Sequence, residues 1–264
     1  MPPARPNDMT IDPTPPRTAD SSISSADALA YWNSTTADVE GMLGGYPQVS
    51  RIDIQGSSNF LAKLRKLDQS NNITIPTSRP FFERAVDCGA GIGRITLNLL
   101  VNYARVIDIV EPVRKFTDAL EAAAKKAVSL DTPGRIRKIY NVGLEDFDPA
   151  TSTSDGDNIG YDLIWNQWCL GQLTDIQLIS YLRRCAIALH KPHGWIIVKE
   201  NIGMSPSEAD VFDETDSSVT RSDASFRKIF EKAGLVVVLT EVQRGFPKEL
   251  FPVRSYALRP RDWR

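Results

Sequence analysis

Apolar positions along this chain follow two periods, and the switches between them divide it into elements. Spacings of three and four come first. Ala26, Leu29 and Trp32 share one side of a predicted helix over 21–32. A short capped helix over 35–46 closes on Gly44 and Gly45, and Phe60, Leu61, Leu64 and Leu67 predict a helix over 59–67. Short continuous runs then take over. Ala85-Val86, 106–111, 135–141, 161–165, 195–199, 235–242 and 254–258 read as strands. Helical patterns separate most of them: one beginning at Ile95, then 116–128, 175–189 and 222–233. On 175–189 the predicted inward stripe is Ile176, Ile179, Leu182 and Ala186. Residues 151–160 and 201–221 read as polar loops. Strands alternating with helices predict an α/β fold, a seven-stranded, doubly wound, Rossmann-like sheet behind a helical N-terminal cap at about 21–80. Residues 1–20 hold six of the 17 prolines and read as a disordered tail before a single domain spanning 21–264.

The first strand ends in Asp87-Cys88-Gly89-Ala90-Gly91-Ile92-Gly93-Arg94. Glycine is required where the backbone takes positive φ or where a ligand approaches the main chain closely. A dinucleotide turn wants a small residue where Arg94 stands, so the helix could not pack as that motif demands. The pattern is instead acid-x-Gly-x-Gly-x-Gly, which resembles the first motif of class I S-adenosylmethionine-dependent methyltransferases, and that resemblance implies Arg94 as a cation for the ligand's carboxylate. Glu111 follows Gly89 by 22 positions, at the end of strand two, where an acid accepts hydrogen bonds from ribose hydroxyls. In this fold the segment 141–147 borders an adenine; the same acids equally suit a helix start. Beyond strand four, Trp165-Asn166-Gln167-Trp168 sets a polar pair between tryptophans. Trp165 reads as core and Trp168, among polar residues, as pocket lining.

Composition narrows the partners. At 42% hydrophobic and 24% charged, with a net charge of −2, the chain reads as soluble, with no electrostatic case for nucleic acid and no apolar run fit for a membrane. Cys88, Cys169 and Cys185 are unclustered, which suggests a reducing compartment and neither disulfides nor a zinc site. His190 and His193 flank Pro192 in a predicted exposed turn with no partners for a metal.

Four segments together resemble the protein N-terminal (α-N) methyltransferases, a class I S-adenosylmethionine-dependent family that modifies Xaa-Pro-Lys/Arg termini. They are Gly41 to Tyr46, Asp87 to Thr96, Ile164 to Asp175, and Asp213 to Val219, with Ser255 to Leu258 also fitting. The resemblance spans roughly 28–259. It implies that S-adenosylmethionine is held by Gly89, Gly91, Arg94, Glu111, Pro112, Val113, Leu144, Glu145 and Gln167. It implies a peptide groove at Trp32, Leu43, Trp168, Asp213 and Ser218, with Asn201, Asp216 and Gln172 at the reacting amine. The partners implied are peptide N-termini, on ribosomal or nuclear proteins, met by a monomer in the cytoplasm and nucleus.

Two positions depart from the family. Phe251 lacks the phenol hydroxyl, and Gln172 stands where the family has a histidine thought to help deprotonate the amine. Glutamine is no base. An α-amine of pKa about 8 costs only about 1.4 kcal/mol to present neutral at pH 7, against about 4.6 kcal/mol for lysine. A lone carboxylate can therefore suffice. Gln172 and Phe251 also leave open a small-molecule or metabolite amine as substrate, and a fold that binds cofactor without turnover.

Overall fold

The computed structural model describes residues 18–70, 81–127, 134–152, 160–204 and 209–263. Most of the expected tail and the centre of the 151–160 loop lie outside these. Residues 19 and 20, expected in the tail, instead open a 3-10 turn over Ala19–Ser22. Its Asp20 carboxylate accepts the backbone N–H of Asp175 at 2.9 Å.

The cap consists of α1 (Ser25–Ser34), α2 (Val39–Met42) and α3 (Val49–Ser70). Ser24 and Asp38 cap the first two through their side chains, accepting from Asp27 and Gly41. The third is far longer than 59–67. Its first turns carry Asp53 and Ser57, both fully buried, and buried polar residues broke the expected apolar stripe.

The strands are β1 (Phe82–Cys88), β2 (Ala104–Val110), β3 (Arg135–Tyr140), β4 (Leu163–Gln167), β5 (Trp195–Asn201), β6 (Val211–Asp213), β7 (Ser218–Thr220), β8 (Leu235–Val242) and β9 (Val253–Pro260). Seven form one sheet in the order β3-β2-β1-β4-β5-β9-β8. The first five are parallel, and β9 runs antiparallel between β5 and β8. Strand residues alternate between two cores. Val86, Ile164, Ile196, Val198, Tyr256 and Leu258 face one; Ala85, Trp165, Ile197 and Ala257 face the other. On the first face pack the short α6 (Pro149–Ser152), α7 (Asp175–Ala188) and α8 (Asp223–Lys232). On the second pack α3, α4 (Arg94–Asn98) and α5 (Arg114–Ala127). Such a doubly wound sheet opens a crevice at the carboxyl ends of β1 and β4, where the strand order reverses.

Two expectations are corrected. On α7 the inward stripe is Leu178, Tyr181, Leu182, Cys185 and Ala188, while Ile176 is 81% exposed. Both stripes share Leu182, but the inner one contains a tyrosine and a cysteine whose polar tips find partners, as Tyr181 Oη does on Asn166 at 2.7 Å. The 201–221 loop contains a hairpin, β6 pairing with β7. Strands of three residues are too short to show a period of two.

Candidate active site

The crevice holds two chambers. The larger, about 500 Å³, lies over the ends of β1, β2 and β4. Gly89, Gly91 and Gly93 turn the chain there with φ of 65°, 54° and 77°. At Gly89 any Cβ would stand 2.3 Å from the Cys169 Cβ, so the turn can be this tight only without a side chain. Glu111 closes the turn from the next strand. Its carboxylate accepts the N–H of Gly91 at 2.9 Å and of Val113 at 2.8 Å, and burial still pushes it up from the usual carboxylate range. Each oxygen retains lone pairs for ribose hydroxyls.

All nine candidate cofactor residues line this chamber: Gly89, Gly91, Arg94, Glu111, Pro112, Val113, Leu144, Glu145 and Gln167. Asp87 lines it as well. Burial raises its carboxyl to about 7, against a 2.5 Å hydrogen bond from Thr96 Oγ1. The loop carrying Leu144 and Glu145 is fixed by Arg184 of α7, whose guanidinium donates to the carbonyls of both, each at 2.9 Å. An acid for hydroxyls, a cation for a carboxylate and apolar walls at Val113 and Leu144 suit an adenosyl amino acid, and the volume is that of a small-ligand cavity. Gln167 lines the chamber with its amide held by the protein, donating to Asp53 and accepting from Trp165 Nε1, which leaves one lone pair of its oxygen open.

The smaller chamber, about 290 Å³, lies between the cap, the β6–β7 hairpin and the segment before β9. Leu43, Asn201, Asp216 and Ser218 line it, with Phe246 and Phe251. Asp213 lines neither chamber. It is exposed on β6, directly opposite Ser218 in the hairpin, and its carboxylate accepts the Thr215 N–H at 2.8 Å. Trp32, Met42, Trp168 and Gln172 line both chambers and form the partition between them.

Trp168 takes φ of 54°, unusual for a bulky residue. Its N–H donates to the Lys199 carbonyl at 3.1 Å. The next two N–H groups, of Cys169 and Leu170, donate to one oxygen of Glu200 at 2.9 and 3.0 Å. Sequence reading missed Glu200, because an acid inside strand β5 gives no local sign of bracing a turn 30 positions away. Two polar atoms here are buried without a partner among the described residues: Trp168 Nε1 and Asp216 Oδ1. Burial raises the Asp216 carboxyl, the Asp213 charge adds to that, and Ser218 opposes it.

Burial also raises Glu200, to about 7, despite its two N–H donors. The folded chain then holds that proton longer than the unfolded chain. The stability this contributes is full below the unfolded value near 4.5 and is lost as pH rises through about 7. Denaturant melts at pH 5 and pH 8 should show Glu200→Gln losing about 2 kcal/mol less than the natural protein across that window. Glutamine keeps an acceptor for both N–H groups, so equal losses would mean Glu200 does not titrate there.

Comparison with known proteins identifies the family. The family model described as AdoMet dependent proline di-methyltransferase matches residues 20–259. Alpha N-terminal protein methyltransferase 1 of Schizosaccharomyces pombe is 43% identical over 238 residues, 89% of this chain and 95% of that one. N-terminal Xaa-Pro-Lys N-methyltransferase 1 of Xenopus tropicalis is 37% identical over 88% of this chain and 93% of its own. A solved SAM-dependent methyltransferase of Leishmania major superposes with a TM-score of 0.72 at 34% identity, covering 89% of this chain and 82% of that one. The chain therefore belongs to the AdoMet-dependent proline di-methyltransferase family, and S-adenosylmethionine is its methyl donor.

Proposed function

We propose that the protein methylates the α-amino group of protein N-termini beginning Xaa-Pro-Lys or Xaa-Pro-Arg. The partition carries this reading: two chambers meet at Trp168 and Gln172, with the unpartnered Asp216 oxygen in the wall of the smaller. When bound in the larger chamber, S-adenosylmethionine supplies an electrophilic methyl group. The smaller chamber selects what meets it. Among the described residues its lining carries two carboxyl groups, Glu200 and Asp216, and no basic side chain. An incoming α-ammonium and a third-position lysine or arginine are both cations. A second-position proline finds flat aromatic faces at Trp168 and Phe246, whose ring centroids lie 6.5 Å apart. Asn201 offers an amide to the amine or to a peptide carbonyl. Asp216 takes the amine proton, Gln172 helps hold the peptide, and alignment across the partition supplies much of the acceleration.

Protein rather than nucleic acid is the partner that a net charge of −2 supports. Free Cys88, Cys169 and Cys185 support a reducing compartment. The same reading takes the enzyme as a monomer acting on ribosomal and nuclear proteins in the cytoplasm and nucleus. A peptide panel tests the specificity. Ser-Pro-Lys should be methylated at least tenfold faster, as kcat/KM, than Ser-Pro-Glu or Ser-Ala-Lys. Equal rates on all three would favour a less selective small-amine methyltransferase. Gln172→His adds a base at the partition and should raise kcat at pH 8 by about tenfold; no change would show that the carboxylate alone already suffices.

A further inference from the structure

Beneath the larger chamber a charge cluster joins two expected residues, Arg94 and Gln167, to two that no motif announced, Asp53 and Lys199. Asp53, on α3, is fully buried. Its carboxylate pairs with Arg94 Nη1 at 2.7 Å and Lys199 Nζ at 2.5 Å, and accepts from Gln167 Nε2 at 2.9 and 3.0 Å. Burial pushes the carboxyl up, but the Lys199 and Arg94 charges outweigh it and hold it below the usual range.

The two cations are not equivalent. Lys199 is saturated, donating also to the Asp53 carbonyl at 3.1 Å, Ser57 Oγ at 2.9 Å and Gln243 Oε1 at 3.0 Å, and it does not line the chamber. Arg94 does line it. Its Nη1 is spent on Asp53 and on Ser50 Oγ at 3.4 Å, while Nε and Nη2 take no hydrogen-bond partner among the described residues and the guanidinium lies 5.4 Å from the Trp168 ring centroid. Two cations against one carboxylate leave a surplus positive charge in a buried place, and Arg94 is the side through which a ligand anion can meet it. A guanidinium recognises a carboxylate by a planar fork, so its orientation matters as much as its charge.

We propose that Asp53 is a positioning residue for the methyl donor: it fixes the plane of Arg94 so that the free edge of the guanidinium meets the donor's amino-acid carboxylate. This rests on Arg94 holding that carboxylate. It also makes α3 of the cap part of the donor site, since Asp53 ties that helix to β4 through Gln167 and to β5 through Lys199.

The test compares two ligands by calorimetry. S-adenosylhomocysteine carries the carboxylate; 5′-methylthioadenosine has the same nucleoside and sulfur without it. The natural protein should prefer the first, and Arg94→Leu should abolish that preference. The informative variant is Asp53→Asn with Lys199→Met. It removes one anion and one cation together, so the surplus charge and the burden on folding stay balanced. S-adenosylhomocysteine should lose at least tenfold in affinity while 5′-methylthioadenosine stays within twofold. A parallel loss for both ligands would mean that the cluster is structural only and overturn the proposal. So would a preference that survives in the double variant while Arg94→Leu removes it. If the natural protein binds both ligands equally, the reading of Arg94 fails first and the proposal falls with it.

Discussion

Replacing Asp216 with asparagine should lower kcat on an Xaa-Pro-Lys peptide by about 10²–10³-fold, the scale of a lost general base. The substitution keeps shape and leaves an acceptor for Ser218, so the hairpin should hold. What it removes is the ability to take a proton. Among the described residues Asp216 and Glu200 are the only carboxyl groups lining the smaller chamber, and one oxygen of Glu200 is committed to two backbone N–H groups. Asp216 Oδ1 is buried with no partner among the described residues. A buried acceptor left unmatched costs about 1–3 kcal/mol in the free protein, and an incoming ammonium restores it. Affinity for S-adenosylhomocysteine should not change, because Asp216 does not line the larger chamber. Burial raises this carboxyl, so in the natural protein activity should fall as pH drops through that raised value, and the variant should lack this limb. An unchanged kcat in Asp216→Asn would remove the residue from the chemistry.

Gly89→Ala should destabilise the protein by about 2–5 kcal/mol and remove measurable binding of S-adenosylhomocysteine. Two separate costs add. Alanine at φ of 65° loses about 1–2 kcal/mol to the left-handed backbone. Its Cβ would also stand 2.3 Å from the Cys169 Cβ, and overpacking costs about 1–3 kcal/mol. Cys169 follows Trp168, so relief of the clash must displace the partition. The double variant Gly89→Ala/Cys169→Gly should recover the steric part in denaturant melts and leave the backbone part. If adding Cys169→Gly recovers nothing, the contact between the two turns is not what the alanine disturbs.

What the sequence made legible was local. The glycine turn, Glu111 at the end of β2 and the tryptophans around β4 each announce themselves within a few residues, because strand, turn and helix must each satisfy their own backbone. Asp53, Lys199 and Glu200 did not. Gln167 donates to Asp53 across 114 positions, and a buried acid on a polar helix turn reads like any solvated one until the fold closes over it. The hairpin was hidden by its length. Asp213 was expected in the groove and lies exposed on the hairpin opposite Ser218, because a resemblance fixes a residue's position in the chain and not its exposure. The stripe on α7 was misread because isoleucine outweighed tyrosine, although Tyr181 can bury its ring and keep a partner for its hydroxyl on Asn166.

In the proposed reaction an α-amine in the smaller chamber faces the methyl donor across Trp168 and Gln172. Mass spectrometry tests it most directly. Ser-Pro-Lys and Pro-Pro-Lys peptides are incubated with the full chain and S-adenosylmethionine, beside Nα-acetylated copies of each. Mass gains of one or more methyl groups are expected on the free peptides and none on the acetylated ones. Gains on the acetylated peptides, or none on either with donor binding demonstrated in parallel, would contradict the proposed reaction.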